Sequence, residues 1–520
     1  MSTRSRVYRN LYKDSVSLMT VSAKVTAVPG IEAASVVMAS ASNVENLARA
    51  GLGAFDVHPN DLVVAVSGTD EACALALDRA DALLTAKAAS GEGETAARAT
   101  LTSLRMAVER DPAHNLALIS VPGDYAAAEA MKALRLGMHV MLFSDNVPVE
   151  RELALKQYAD AHGLMVMGPD CGTAIVNGVP LAFANVVRRG PIGVVGASGT
   201  GTQEVTVRIH QLGSGVSQAL GTGGHDLSAR IGGISMLYGL RALDADPATK
   251  VIVLVSKPPA PEVAARVLAA AEASAKPVVV IFLGADPAAV TRTGVYGAAY
   301  LAQAADMAVA LANGQRPRGG DVAVPGEMSR RLTDAARGMA PGQQFVRGIF
   351  SGGTFCFEAQ LIHAADGITA YSNAPTGGNH TLERITQSQD NTIIDMGDDE
   401  FTQGRPHPMI DPSLRDARIR QEADDPTTAV VLFDVVLGYG SSLEPVAGLL
   451  GVIGASRGAA KAAGRTVLFI GYVCGTDTDP QPHKDIVAAL QAAGVLVASS
   501  NAEAAAWSAT VIAERRKVTP

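Results

Sequence analysis

Four glycine-rich turns carry residues suited to chemistry. Gly196-Ala197-Ser198-Gly199-Thr200-Gly201-Thr202 follows an apolar run and opens a helix-forming stretch, QEVTVRIHQLG. A helix N-terminus offers free N–H groups and partial positive charge. Glycines let the backbone approach a phosphate, and hydroxyls add donors. The same residues also read as a plain Ser/Thr cap. Ser351-Gly352-Gly353-Thr354 and Gly438-Tyr439-Gly440-Ser441-Ser442 also follow apolar strands. Each is either a ligand loop at a strand's carboxyl end or a tight packing turn. Gly221-Thr222-Gly223-Gly224-His225-Asp226 sets an imidazole beside a carboxylate. That is an anion loop with His225 as acid–base group, or a cap and a surface pair.

A fifth stretch is more polar. Asp395-Met396-Gly397-Asp398-Asp399-Glu400 leads into Gln403-Gly404-Arg405-Pro406-His407-Pro408. Asp398, Asp399 and Glu400 could hold Mg²⁺ through oxygen, or could form a solvated loop. Arg405 could grip a carboxylate bidentately and His407 could move a proton, with prolines stiffening the chain around it. Asn379 and His380 form a weaker site of the same kind. The sequence has no GxxxxGKS/T loop and no HExxH, so ATP hydrolysis by a P-loop is not expected.

These turns need strands and helices to aim them. Residues 1–87 read as a ferredoxin-like α+β unit in the order β-α-β-β-α. ASGEGETAARAT is the expected linker. Residues 104–187 alternate strand and helix as a small doubly wound, Rossmann-like α/β domain. The remainder nearly repeats itself. GPIGVVGASGTGTQEVTVRI matches FVRGIFSGGTFCFEAQLI, and Asp246-Pro247-Ala248-Thr249 matches Asp425-Pro426-Thr427-Thr428. Each Asp-Pro landmark precedes a strand, a helix and another strand. Two flavodoxin-like domains are expected, 189–315 and 344–515, the second carrying an extra stretch near 379–424.

Composition sets outer bounds. With 43 Lys+Arg against 51 Asp+Glu the net charge is −8, and aromatics are 4%. Nucleic-acid binding, which wants a basic face and stacking platforms, is not expected. Hydrophobic residues at 48% supply several cores, and glycine at 52 of 520 suits α/β domains with many tight turns. Cys73, Cys171, Cys356 and Cys474 form no CxxC pair, so neither structural zinc nor a disulfide framework is expected. No run reaches membrane-span length and no signal-peptide pattern opens the chain, so a cytoplasmic location is expected.

One family gathers these features. GDYAAAEAMKALRLGMHVMLFSDNVPVERELALKQYADAHGLMVMGPDCG resembles the end of the CoA-binding domain of succinyl-CoA synthetase α, and GPIGVVGASGTGTQEV resembles the start of its ligase domain. The second copy resembles the C-terminal domain of the β subunit. The whole chain, including DMGDDEFTQGRPHPMIDP, is similar to the FdrA family. Two departures from the synthetase stand out. Val295, in Gly294-Val295-Tyr296-Gly297-Ala298, stands where the phosphorylated histidine of a GHAGA context belongs. The Gly-rich turn for CoA phosphates and the ATP-grasp domain are missing, so CoA is not expected as a cofactor.

The resemblance implies a component of oxamate carbamoyltransferase, which interconverts oxamate plus carbamoyl phosphate with oxalurate plus phosphate. It also implies companion subunits of the same pathway, and a homo-oligomer is expected. In that scheme the phosphate sits at Ser198-Gly199-Thr200 and Gly438–Ser441. Arg405 clamps oxamate, His407 or His225 takes the amide proton, and Gly223-Gly224 or Gly352-Gly353 holds the oxyanion. The alternatives are an NDP-forming acyl-CoA synthetase subunit and a non-catalytic subunit whose ferredoxin-like unit docks a partner or senses a small molecule.

Overall fold

A computed structural model describes residues 2–13, 15–85, 101–402 and 405–518. The expected linker ASGEGETAARAT lies outside the described residues, as do Gln403 and Gly404. The chain divides into two compact units, Met1–Val166 with Phe401–Pro406, and Met167–Glu400 with His407–Pro520.

The first unit opens with a three-stranded antiparallel sheet in which Leu62–Gly68 lies between Ser2–Tyr8 and Ile31–Met38. The central strand is buried along almost its whole length. Apolar residues of the helices Ser15–Thr26 and Asp70–Thr85 pack with the sheet around Val25, Val64, Val66, Ala76 and Ala80. This is the expected ferredoxin-like arrangement with one addition. The helix Ala41–Arg49 joins the second and third strands, capped by Ser40 Oγ accepting from Asn43 N–H. Its polar sequence SNVENLAR hid it from a reading based on apolar periodicity. Farther along, Leu116–Ile119, His139–Leu142 and Val166–Met167 form a second three-stranded sheet, with helices Gly123–Arg135 and Val149–Ala161 between them in sequence.

The second unit holds two seven-stranded sheets. In the first, the parallel strands run Val216–Gly221, Arg189–Gly196, Val251–Ser256, Val278–Phe282 and Val295–Gly297. In the second they run Thr392–Asp395, Phe345–Phe350, Thr428–Val436, Leu468–Cys474 and Leu496–Ala498. In each of these five-strand runs the first strand of the repeat lies second, the flavodoxin-like order, and in the second sheet the short parallel strands Tyr371–Ser372 and His380–Thr381 extend the block beyond Thr392–Asp395.

One hairpin sits elsewhere than the sequence suggested. Thr173–Val176 and Val179–Ala182, expected at the end of the 104–187 domain, extend the first seven-stranded sheet instead. The turn residues Asn177 and Gly178 both adopt positive φ, as a two-residue hairpin loop requires. Asn177 N–H and Gln218 Oε1 then tie the hairpin to its neighbour at 2.7 Å.

The helix Gly326–Arg337 connects the repeats, and the helix Asn501–Val518 closes the chain. One apolar core runs through both repeats, taking Leu301 from the first, Phe355 from the second and Trp507 from the last helix. The repeats are therefore one folding body. Among the described residues no helix is long and apolar enough to cross a membrane.

Candidate functional site

The two repeats meet at equivalent points. Ser198 caps the helix Gly199–Gln211, its Oγ accepting from Gly201 N–H at 3.1 Å. Thr354 lies in the first turn of the helix Gly353–Ala365. Ser198 Oγ and Thr354 Oγ1 are 2.6 Å apart. Glycine makes this approach possible. A Cβ on Gly201 would stand 3.1 Å from Thr354 Cγ2, and one on Gly352 would stand 3.0 Å from Thr200 Cγ2. Among the described residues, the N–H groups of Gly199, Thr200, Gly353 and Thr354 meet no protein acceptor. Two positive helix ends thus converge with donors to spare, the electrostatics an anion needs.

Carboxylates and an imidazole line the second helix end. Asp434, fully buried, accepts from Ser351 N–H at 2.6 Å and Gly352 N–H at 2.8 Å. Burial pushes its carboxyl above the usual range despite those bonds. Asp395 ends the strand Thr392–Asp395 and is 8% exposed. Its Oδ1 accepts from Gly397 N–H at 2.9 Å, while Oδ2 lies 2.3 Å from the point a Gly353 Cβ would take. Burial raises Asp395 to about 6, with Lys257 opposing the rise. His407 Nε2 stands 2.6 Å, and Asp395 Oδ1 3.2 Å, from one point beside Gly397. The two side chains therefore share a wall. His407 Nδ1 accepts from Met409 N–H at 3.2 Å, and burial lowers its imidazole to about 4. Phe183 flanks the ring at 6.0 Å between centroids.

The other residues singled out in the sequence have different fates. Gly438–Ser441 does not open a helix, because the next helix starts at Ala447. Pro445, two residues before it, has no N–H to give a helix. The turn packs instead on the Phe183–Asn185 loop: Tyr439 N–H donates to Ala184 O at 2.9 Å, and Gly438 and Gly440 take positive φ. The partner of the Ser198 end is Gly352–Thr354. Gly352 N–H is taken up by Asp434, so of that pair only Gly353 keeps an open donor for an oxyanion.

His225 and Gly224 are exposed, and Asp226 is fully buried. Asp226 accepts from Ser235 N–H and Met236 N–H at 3.1 and 2.8 Å, so it satisfies two N–H groups at the start of the helix Ile234–Ala245. Gly223 makes a tight turn, where a Cβ would stand 2.2 Å from Pro169 O. Asn379 is structural, accepting from Ala370 N–H at 2.9 Å and donating to Gln360 Oε1 at 3.3 Å. Exposed His380 lies 5.2 Å from the Tyr371 ring. Asp398 Oδ1 accepts from Glu400 N–H at 3.1 Å, beside the short helix Asp399–Thr402. Among the described residues no three His, Cys, Asp or Glu side chains are placed to hold a metal ion. Arg405 is exposed and belongs to the first compact unit.

Sequence reasoning missed Lys257 and Asp434. Lys257 directly follows the strand Val251–Ser256, with Nζ 5.8 Å from the Phe357 ring centroid. The signal for Asp434 was present: a lone carboxylate in the otherwise apolar strand Thr428–Val436.

Three family models match the chain. A CoA-ligase model covers residues 349–511, and a CoA-binding-domain model covers 187–284. The second lies on the first flavodoxin-like repeat, not on the 104–187 stretch that the sequence reading compared with a CoA-binding domain. The model described as AllF, heavy metal-associated domain, covers 1–100. Cys73 is the one cysteine in that region and it is buried, so a heavy-metal thiolate site does not fit these residues.

Among relatives, the ADP-forming succinate–CoA ligase subunit alpha 2 of Archaeoglobus fulgidus is 30% identical over 28% of this chain and 52% of its own length. The ADP-forming sulfoacetate-CoA ligase subunit SauD of Bilophila wadsworthia is 28% identical over 30% of this chain and 54% of its own. The chain thus spans about half the length of each. The Escherichia coli protein YahF is 44% identical over 96% of this chain and 97% of its own. On that full-length likeness and the paired CoA-ligase-type repeats, the chain belongs with YahF to the succinyl-CoA synthetase-like FdrA family.

Proposed function

We propose that the chain is part of an enzyme that transfers a carbamoyl group between carbamoyl phosphate and oxamate, giving oxalurate and phosphate, in purine-nitrogen catabolism. The observation that carries this reading is the 2.6 Å contact of Ser198 and Thr354, which brings two helix ends to one point. The open N–H groups of Gly199, Thr200, Gly353 and Thr354 suit a phosphate and stabilise it as it leaves. Val295 is fully buried in the strand Val295–Gly297 and has no nucleophilic atom. A site that grips phosphate without that histidine suits an acyl phosphate used directly. Arg405 is the sequence's candidate for the oxamate carboxylate.

The test is phosphate release from carbamoyl phosphate by the purified chain, with and without oxamate, with oxalurate detected directly. Oxamate-dependent oxalurate supports the reading. Turnover that appears only with companion proteins makes this chain one subunit of the enzyme. Silence under both conditions removes the reading.

A second reading is a subunit of an NDP-forming acyl-CoA synthetase. The CoA-ligase and CoA-binding-domain matches favour it. It calls for a phosphorylatable side chain in place of Val295, and acid-labile labelling by radioactive ATP would support it.

A further inference from the structure

We infer that Asp395, His407 and Lys257 form the acceptor half of the site, built for a small carboxylic acid carrying a primary amide. Asp395 is the proton acceptor, His407 a fixed hydrogen-bond donor, and Lys257 the carboxylate's partner. This inference rests on the carbamoyl-transfer reading and assigns its roles differently from the sequence.

The geometry separates the roles. His407 Nδ1 already accepts from Met409 N–H, so the neutral ring carries its proton on Nε2. A ring in that tautomer gives a hydrogen bond to a carbonyl and cannot take a proton at Nε2. Its depressed pKa keeps it neutral near pH 7. Asp395 has the opposite character. It is nine-tenths buried, and Oδ2, beside Gly353, meets no hydrogen-bond donor among the described residues. An unpartnered carboxylate oxygen next to a helix end and a fixed donor is the acceptor an amide N–H needs. Lys257 lies near enough to act electrostatically on Asp395. It rests over the Phe357 ring with no carboxylate within 4.0 Å among the described residues. The charged or polar groups facing Asp395 are Lys257, His407, Gly397 N–H, Asp398 and Asp434, with the buried thiol of Cys356 beside them.

The step balances without an added reagent. The amide nitrogen attacks the carbamoyl carbon, and its N–H proton passes to Asp395. The carbon–oxygen bond to phosphate breaks with its electron pair leaving on phosphate at the helix ends. Asp395 then returns the proton to solvent.

The test is equilibrium binding of oxamate, and separately of inorganic phosphate, to the full chain, alone and with its companion proteins. Loss of an ion pair to a bound carboxylate predicts that Lys257→Met weakens oxamate by about 10- to 100-fold with phosphate affinity unchanged. Lys257→Arg, which keeps the cation, retains oxamate binding. Asp395→Asn keeps both ligands, lowers kcat by about 100-fold or more, and removes the limb of the kcat–pH profile near the Asp395 pKa. Unchanged phosphate affinity in each variant reports an intact fold. Oxamate affinity that survives Lys257→Met, or falls only in Arg405→Ala, overturns the inference and leaves carbamoyl transfer standing. A wild-type chain that binds phosphate but never oxamate removes the reading and the inference together.

Discussion

Glu204 and Glu358 are joined through one residue, Asn501. Asn501 N–H donates to Glu204 Oε1 at 3.2 Å, and its side-chain amide donates to Glu358 Oε2 at 2.8 Å. Both glutamates are almost wholly buried, one on each of the two helices whose first turns carry the Ser198 and Thr354 hydroxyls. Burial raises both carboxyls, Glu358 to about 7 and Glu204 well above its ordinary value. The folded chain therefore holds protons that the unfolded chain releases. The stability linked to them is full below the unfolded value of 4.5 and declines as pH climbs through about 7. Glu358→Gln should flatten that decline. Urea midpoints compared at acidic and alkaline pH should converge in the variant, recovering on the order of 2 kcal/mol at the alkaline end. An unaltered pH slope would show that Glu358 does not carry the proton.

Ser198 and Thr354 should be energetically coupled. Ser198→Ala removes a helix cap, which costs about 1 kcal/mol, and strands the Thr354 hydroxyl. A double-mutant cycle with Thr354→Ala, read by chemical denaturation, should give a coupling of about 0.5 kcal/mol or more. Phosphate affinity should fall in both single variants. Strictly additive values would mean the two hydroxyls act independently.

The second repeat is braced by buried charge. Arg347 Nε lies 3.1 Å from Glu422 Oε2, Arg418 Nε lies 2.5 Å from Glu422 Oε1, and Arg347 Nη2 lies 2.8 Å from Asp425 Oδ2. Glu422→Ala leaves two nearly buried guanidinium groups short of a carboxylate, Arg347 keeping Asp425 and Arg418 keeping only Ile385 O and Ser388 Oγ. That should destabilise the fold by about 3–5 kcal/mol. A loss below 1 kcal/mol in urea unfolding would mean that water reaches these arginines.

His225 and Asp226 should behave differently. His225→Ala should leave phosphate affinity and turnover at wild-type values. Asp226→Ala should lower the melting temperature, because two N–H groups at the start of the helix Ile234–Ala245 lose their acceptor, at about 1–2 kcal/mol. A large activity loss in His225→Ala, with the melting temperature unchanged, would return that histidine to the mechanism.

The repeats were legible because each strand is a continuous apolar run and each helix end carries a Gly-Thr turn, signals that are local in sequence. What stayed hidden depends on partners far along the chain. Gly438–Ser441 and Gly352–Thr354 look alike as text. Pro445 and the late helix start at Ala447 decide which one presents N–H groups. The hairpin at Thr173–Ala182 pairs with the strand at 216–221, and local alternation says nothing about that choice. Asp395 was visible only as one of a run of acids. Its separation from Asp398, Asp399 and Glu400 appears once burial is known, since Asp395 is enclosed while Asp399 and Glu400 face water. Lys257 gave no sign, because a lysine ending a strand is ordinary until the opposing repeat is placed against it.

The connection between the repeats has a consequence for how the site is supplied. Arg515, in the last helix, donates to Gln343 O, Ala336 O and Ala340 O, fastening the connecting segment to the end of the chain. Ser198 and Thr354 are therefore translated together, once each per molecule. Had they come from separate polypeptides, the phosphate site would depend on matched expression and would be diluted away at low concentration. On one chain its assembly is first order, the two halves meet at an effective concentration set by the tether, and neither half accumulates without the other.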